Sequence, residues 1–129
     1  MTDVVLDASA VLAVINREVG ADEVWTHLPG AYLSAVNAAE VASKLVDRGR
    51  DVEGAGQSLA RLGTRIIPFE YVDILPTARL RALTRHIGLS LGDRACLALA
   101  QRLRLPAVTA DRAWAGLDVG VEVQVIREG

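Results

Sequence analysis

Cysteine, lysine and aromatic side chains are nearly missing from this chain. Its 129 residues include one cysteine, Cys96, and one lysine, Lys44. A single thiol excludes an internal disulfide and cannot supply a zinc or redox pair, so the fold has to be held by packing, which suits a reducing compartment. Aromatic residues are only 4% of the sequence, so the 51% apolar fraction is mostly Ala, Val, Leu and Ile, the mix of helices packed closely on a buried sheet. Long apolar runs are lacking as well. Ala10 to Ile15 is as long as any uninterrupted run, far short of the roughly 20 residues that span a bilayer. The opening Met1 to Asp7 carries Asp3 and Asp7 and no basic leader, so a cytoplasmic protein with no membrane partner is expected. The length suits one domain over residues 1–129.

Strong basic charge is also absent: the net charge is −2, and phosphate binders are usually basic. The average hides a distribution. Setting four acids aside on metal ions removes four negative charges from −2 and leaves the remainder at +2, and thirteen of the fourteen basic residues are arginine, which grips phosphate with two parallel hydrogen bonds. An RNA partner is compatible with that distribution.

What is present is an alternation of strands and helices. Val4-Val5-Leu6 is a short β-branched run ending at Asp7, and Ser9 stands before a helical stretch over residues 10–16. A second helical piece, 21–28, ends at Pro29-Gly30, and Tyr32-Leu33 can form a strand. Helices are predicted over 36–48, where Val41, Ala42, Leu45 and Val46 make an apolar side, and over 52–62, closed by Gly63. Arg65 to Phe69 reads as a strand, and Pro76 can open a helix through His86. Ser90 and Asp93 have the spacing of a capping box at the start of a helix reaching Leu103, with Pro106 beyond its end. Ala107-Val108-Thr109 is a short strand before Asp111, and Val121, Val123 and Val125 alternate with Glu122 and Gln124 as in a half-buried edge strand. Strands separated by helices require parallel pairing with crossovers, which predicts a three-layer α/β/α sandwich around a central, mostly parallel sheet.

In such sheets, ligand-handling groups gather at the carboxyl ends of the strands. Asp7 and Asp111 each follow a strand, Glu40 lies early in the helix after the second strand, and Asp93 lies in the first turn of the helix leading to the Val108 strand. The topology can therefore bring four acids to one edge. Two carboxylates about 4 Å apart repel by roughly 4 kcal/mol at an effective dielectric near 20, so a cation is needed to offset them. Oxygen ligands without a His or Cys set favour Mg2+ or Mn2+ over zinc. One or two such ions can activate water and neutralise charge on a phosphodiester, as a hydrolytic nuclease requires.

These residues resemble the PIN-domain family, in particular VapC-type toxins of type II toxin–antitoxin modules. Val4-Val5-Leu6-Asp7-Ala8-Ser9-Ala10 resembles the family's first strand, with an acid followed by a small hydroxyl residue. Asn37-Ala38-Ala39-Glu40-Val41, within Ser34 to Leu45, is similar to the segment carrying the second acid. Leu91-Gly92-Asp93-Arg94-Ala95 resembles the third motif and Val108-Thr109-Ala110-Asp111-Arg112-Ala113-Trp114 the fourth. The four occur in order over nearly the whole chain. The resemblance implies a PIN-like fold and an endoribonuclease dependent on Mg2+ or Mn2+, inhibited by a cognate VapB-like antitoxin and usually a homodimer. It carries over Asp7, Glu40, Asp93 and Asp111 as catalytic, metal-site acids and Ser9 and Thr109 as supporting hydroxyls, with Asp118 as an extra acid.

Each residue also has a plainer reading. Asp7 can cap a helix, Asp93 suits the positive end of its own helix, Glu40 stands four residues before Lys44 as in a helical ion pair, and Asp111 suits a turn. Arg94 and Arg112 each follow a proposed ligand and could hold an RNA phosphate or pair with a neighbouring acid. His27 and His86 lack a nucleophile constellation and read as surface or packing residues. Trp25, with Val24, Leu28, Leu12 and Ile15, could be core or the wall of an antitoxin groove.

Two rival functions are weighed. A receiver-like, non-hydrolytic signalling domain has similar size and an acidic magnesium pocket, but Ala8 follows Asp7 where paired acids are expected, and no late lysine exists. A metal-dependent adhesion module would want Asp-x-Ser-x-Ser, whereas the chain reads Asp7-Ala8-Ser9-Ala10-Val11.

Overall fold

In the computed structural model, residues 3–126 are described. Strand β1 (Val5–Leu6) leads into α1 (Ala8–Ile15) and the short α2 (Ala21–Trp25). Strand β2 (Tyr32–Ser34) is followed by α3 (Ala35–Asp47) and α4 (Val52–Arg61), and β3 (Arg65–Ile67) by α5 (Ile74–Leu83) and α6 (Leu91–Leu103). Strand β4 (Ala107–Thr109) and a 3-10 turn precede β5 (Val123–Val125). The strands pair in the order β3-β2-β1-β4-β5, every pair parallel. Each strand is two or three residues long; β1 is stopped by the helix cap Asp7, β2 by Ser34, which caps α3, and β3 by Pro68.

The pleat of the strands sorts side chains into two cores. Val4 and Leu6, with Leu33 and Val108, pack against Val11, Val14, Val24, Val41 and Leu45 of the α1–α4 layer. Val5 and Ala107 point the other way, against Leu80, Leu97, Leu99 and Trp114 of the α5–α6 layer. Both faces of β1 are thus covered, as a central parallel strand requires, and the three-layer α/β/α sandwich is realised.

The chain moves from β1 outward to β3, then returns to β4 on the far side of β1. This reversal makes the β1/β4 junction the topological switch point, the place outside the carboxyl ends where sheets of this kind bind ligands. The order 3-2-1-4-5 also differs from the 2-1-3-4-5 order of receiver-type domains, which removes the signalling rival.

Several boundaries differ from the sequence expectation for identifiable reasons. Helix α1 starts at Ala8, because Asp7 caps it by accepting from the Ala10 amide at 2.8 Å. Helix α2 ends at Trp25, before the expected 28. Strand β3 stops at Ile67, since Pro68 has no N–H for the ladder. Helix α5 begins at Ile74, with Pro76 in its first turn, where a missing N–H leaves no intrahelical bond unmade. Strand β5 excludes Val121 and lies at the sheet edge. The α6 capping box forms in full: the Ser90 hydroxyl accepts from the Asp93 amide at 3.1 Å and the Asp93 carboxylate from the Ser90 amide at 3.0 Å.

Leu97 is fully buried in the α5–α6 core, whereas Val52 is 75% exposed. Leu97→Ala is expected to lower unfolding stability by about 2–5 kcal/mol and Val52→Ala to change it by less than about 0.5 kcal/mol, measured by urea denaturation.

Candidate active site at the sheet switch point

Asp7 leaves β1 at the switch point and is only 3% exposed. One carboxylate oxygen accepts from the Ser9 hydroxyl at 2.7 Å and the Ala10 amide at 2.8 Å. The other accepts from the Thr109 hydroxyl, at the end of β4, at 2.5 Å. Ser9 and Thr109 oxygens lie 3.2 Å apart, but each hydroxyl has one proton and both are committed to Asp7. Their lone pairs receive the next backbone amides: Ala110 N–H donates to Ser9 at 2.9 Å and Asp111 N–H to Thr109 at 3.0 Å. Two hydroxyls far apart in sequence, one from the first turn of α1 and one from the end of β4, therefore lock Asp7 and fix the backbone that carries Asp111.

Three hydrogen bonds stabilise the Asp7 anion, yet burial outweighs them, and the nearby Asp93 charge adds to its effect. The carboxyl is raised from 3.8 to about 6. Cys96, fully buried on α6, is pushed well up by burial and then by the charges of Asp7, Asp93 and Glu40. One thiol on α6 thus feels the charge of three acids, from the end of β1, from α3 and from α6.

Glu40 does not take the Lys44 partner that the i,i+4 spacing suggests; among the described residues the ion pairs are Arg65–Asp3 and Arg102–Asp73. Its carboxylate accepts instead from Asn37 Nδ2, one turn earlier on α3, at 2.9 Å. The same Nδ2 donates to the Gly92 carbonyl on α6 at 3.0 Å. Gly92 has no Cβ for good reason: one built there would lie 1.9 Å from Glu40 Oε1. Asn37 and Gly92 were not among the expected site residues. The signal was present, as an amide three residues before the acid and a glycine immediately before Asp93, but only α3 meeting α6 gives it meaning.

Asp111 is exposed and caps the 3-10 turn Arg112–Trp114 through Oδ1, which accepts from the Ala113 amide at 2.9 Å. Asp93 spends one oxygen in the α6 cap. Arg112 is exposed. Arg94 turns toward α5, donating to the Thr77 carbonyl at 3.1 Å, so it ties α6 to α5 and pairs with no acid. Asp118 is exposed and borders a groove with Leu83 and His86, apart from the Asp7 network. His86 is exposed, and Trp25, 54% exposed, flanks an open groove with Val14 and Val19.

Among the described residues, none of Asp7, Glu40, Asp93 and Asp111 is ion-paired. Nor do three or more His, Cys, Asp or Glu side chains stand close enough to hold a metal ion between them. The donors fit a hard dication in kind, being carboxylate oxygens beside a thiol that burial keeps protonated.

An all-parallel α/β/α protein with a buried carboxylate at the switch point of its sheet is the class that fold and site define. The chain belongs to the PIN-domain family, whose model matches residues 4–119. In structure it is similar to a toxin–antitoxin complex from Klebsiella pneumoniae, with a TM-score of 0.76, 19% identity, and 98% of this chain and 100% of that one covered. It is also similar to VapC20 of Mycobacterium tuberculosis, a toxin that cleaves the sarcin–ricin loop, with a TM-score of 0.74, 17% identity and 91% and 98% covered. A DNA-bound VapBC from Salmonella typhimurium is similar at a TM-score of 0.74, 14% identity and 98% and 100% covered. No curated protein matches the chain by sequence. No helix among the described residues is long and apolar enough to cross a membrane.

Because the folded Asp7 pKa is raised from 3.8 to about 6, its contribution is fully present below pH 3.8 and is lost as pH rises through 6. The shift corresponds to roughly 3 kcal/mol at neutral pH, at 1.36 kcal/mol per pKa unit. Asp7→Asn is therefore expected to raise the Tm above wild type at pH 7.5 in EDTA, with the difference vanishing near pH 4; calorimetry at both pH values checks it.

Proposed function

We propose that this chain is a Mg2+- or Mn2+-dependent endoribonuclease, the toxin of a type II toxin–antitoxin pair. The observation that carries the reading is a carboxylate, Asp7, buried without a basic partner at the carboxyl end of the central strand, in a chain of the PIN-domain family. A bound dication would offset that charge, lower the pKa of a water and neutralise the scissile phosphate.

The protein's own groups do the positioning. Asp7 is held at both oxygens by Ser9, Ala10 and Thr109 and cannot swing out. Asp93 uses only Oδ2 in its cap and Asp111 only Oδ1, so each keeps a second oxygen for a ligand. Glu40 is fixed from α3 by Asn37. Arg112, exposed and beside Asp111, would meet an RNA phosphate.

The VapBC and toxin–antitoxin complexes among the structural neighbours support a VapB-like antitoxin as partner, and such a module acts in the cytoplasm. A homodimer finds support in an exposed apolar strip formed by Tyr71, Val72, Ile74 and Leu75, which water alone would cover poorly.

Purified protein is expected to cleave RNA internally with Mg2+ or Mn2+, to stop in EDTA, and to lose about a hundredfold or more in rate as Asp7→Asn or Asp93→Asn. Gel analysis of RNA ends checks this, and full cleavage by both variants contradicts it. Light scattering is expected to show a dimer that Leu75→Glu shifts toward monomer; a monomeric wild type removes the homodimer reading.

A further inference from the structure

We infer that Asn37 is a positioning residue of this site, holding the Glu40 carboxylate against the first turn of α6. The inference rests on the nuclease reading for its consequence and on geometry for its substance.

The geometry has three parts. First, one nitrogen serves two layers of the sandwich: Asn37 Nδ2 donates to Glu40 on its own helix and to the Gly92 carbonyl on α6. An NH2 group has two protons, so both are spent and the amide cannot turn without breaking a bond to one layer. Second, Gly92 leaves a space that the Glu40 carboxylate fills, and a Cβ there would lie within 2.9 Å of both its oxygens. The acid is therefore held by a donor on one side and by the bare α6 backbone on the other. Third, Asn37 is 1% exposed and its Oδ1 has no hydrogen-bond partner. Burying an unpaired amide oxygen works against stability. A small apolar residue would suit this position better if packing were its only duty.

Together these set where Glu40 stands relative to Asp93, the residue after Gly92. Asn37 touches no reacting atom in this scheme; it acts through Glu40.

The test compares wild type with Asn37→Ala and Gly92→Ala, which disturb Glu40 from opposite sides. Asn37→Ala is expected to lower kcat for RNA about 10- to 100-fold with KM within about twofold, and to weaken Mn2+ binding, read by electron paramagnetic resonance, by about tenfold or more. Gly92→Ala is expected to do the same, and the double variant to lose no more than the worse single one. In a Glu40→Ala background, Asn37→Ala is expected to change Mn2+ binding no further. Wild-type kcat and Mn2+ affinity in Asn37→Ala overturn the inference, as does an activity loss matched by the folded fraction lost at the assay temperature.

A wild type that neither cleaves RNA nor binds Mn2+ defeats the nuclease reading instead. Positioning is then decided by a double-mutant cycle of Asn37→Ala and Glu40→Ala on the unfolding equilibrium in EDTA. Coupling of about fivefold or more supports it, and additivity overturns it.

Discussion

A carboxylate buried without a counter-charge is what the carboxyl edge of this molecule is arranged around. Asp7 sits at the end of the central strand, covered by both helix layers, and its donors are an amide and a hydroxyl from its own turn and a hydroxyl from β4. Hydrogen bonds to a charged group are worth about 1.5–3 kcal/mol each. Three of them still leave the group raised to about 6, because desolvation and the Asp93 charge act the other way. The balance shows which effect wins: the fold tolerates this anion, and the polar network limits the cost without removing it.

That constraint orders the rest of the edge. The hydroxyls that brace Asp7 accept from the amides of Ala110 and Asp111, so the β4 exit path is set by the same atoms that hold the β1 acid. The cap on α6 orients Asp93 while using one of its oxygens. The plain readings of Asp7 and Asp93 as capping residues and of Asp111 as a turn residue are all realised, and they are compatible with the proposed role as ligands. A cap fixes a side chain's direction, and a preorganised ligand needs its direction fixed.

Glu40 and Arg94 show the limit of spacing arguments. The Glu40–Lys44 interval is right for an ion pair, but such a surface pair is worth only about 0.3–0.5 kcal/mol, too little to hold a carboxylate that Asn37 and the Gly92 gap can seat. Arg94 follows an acid in sequence yet reaches across to the Thr77 carbonyl, because a helix turns neighbours i and i+1 to different faces.

The order of strands and helices, both layers of the sandwich and the α6 capping box were legible in the sequence, since they depend on periodicity, turn residues and contacts within a few positions. So was the list of acids that the topology could bring to one edge. What only the tertiary structure decided were the contacts between segments: Thr109 reaching Asp7 across 102 positions, Asn37 reaching Gly92 across 55, and the strand order that puts β4 beside β1. Those follow from how helices pack over the sheet, and a one-dimensional pattern carries the faces of each element but not which faces meet.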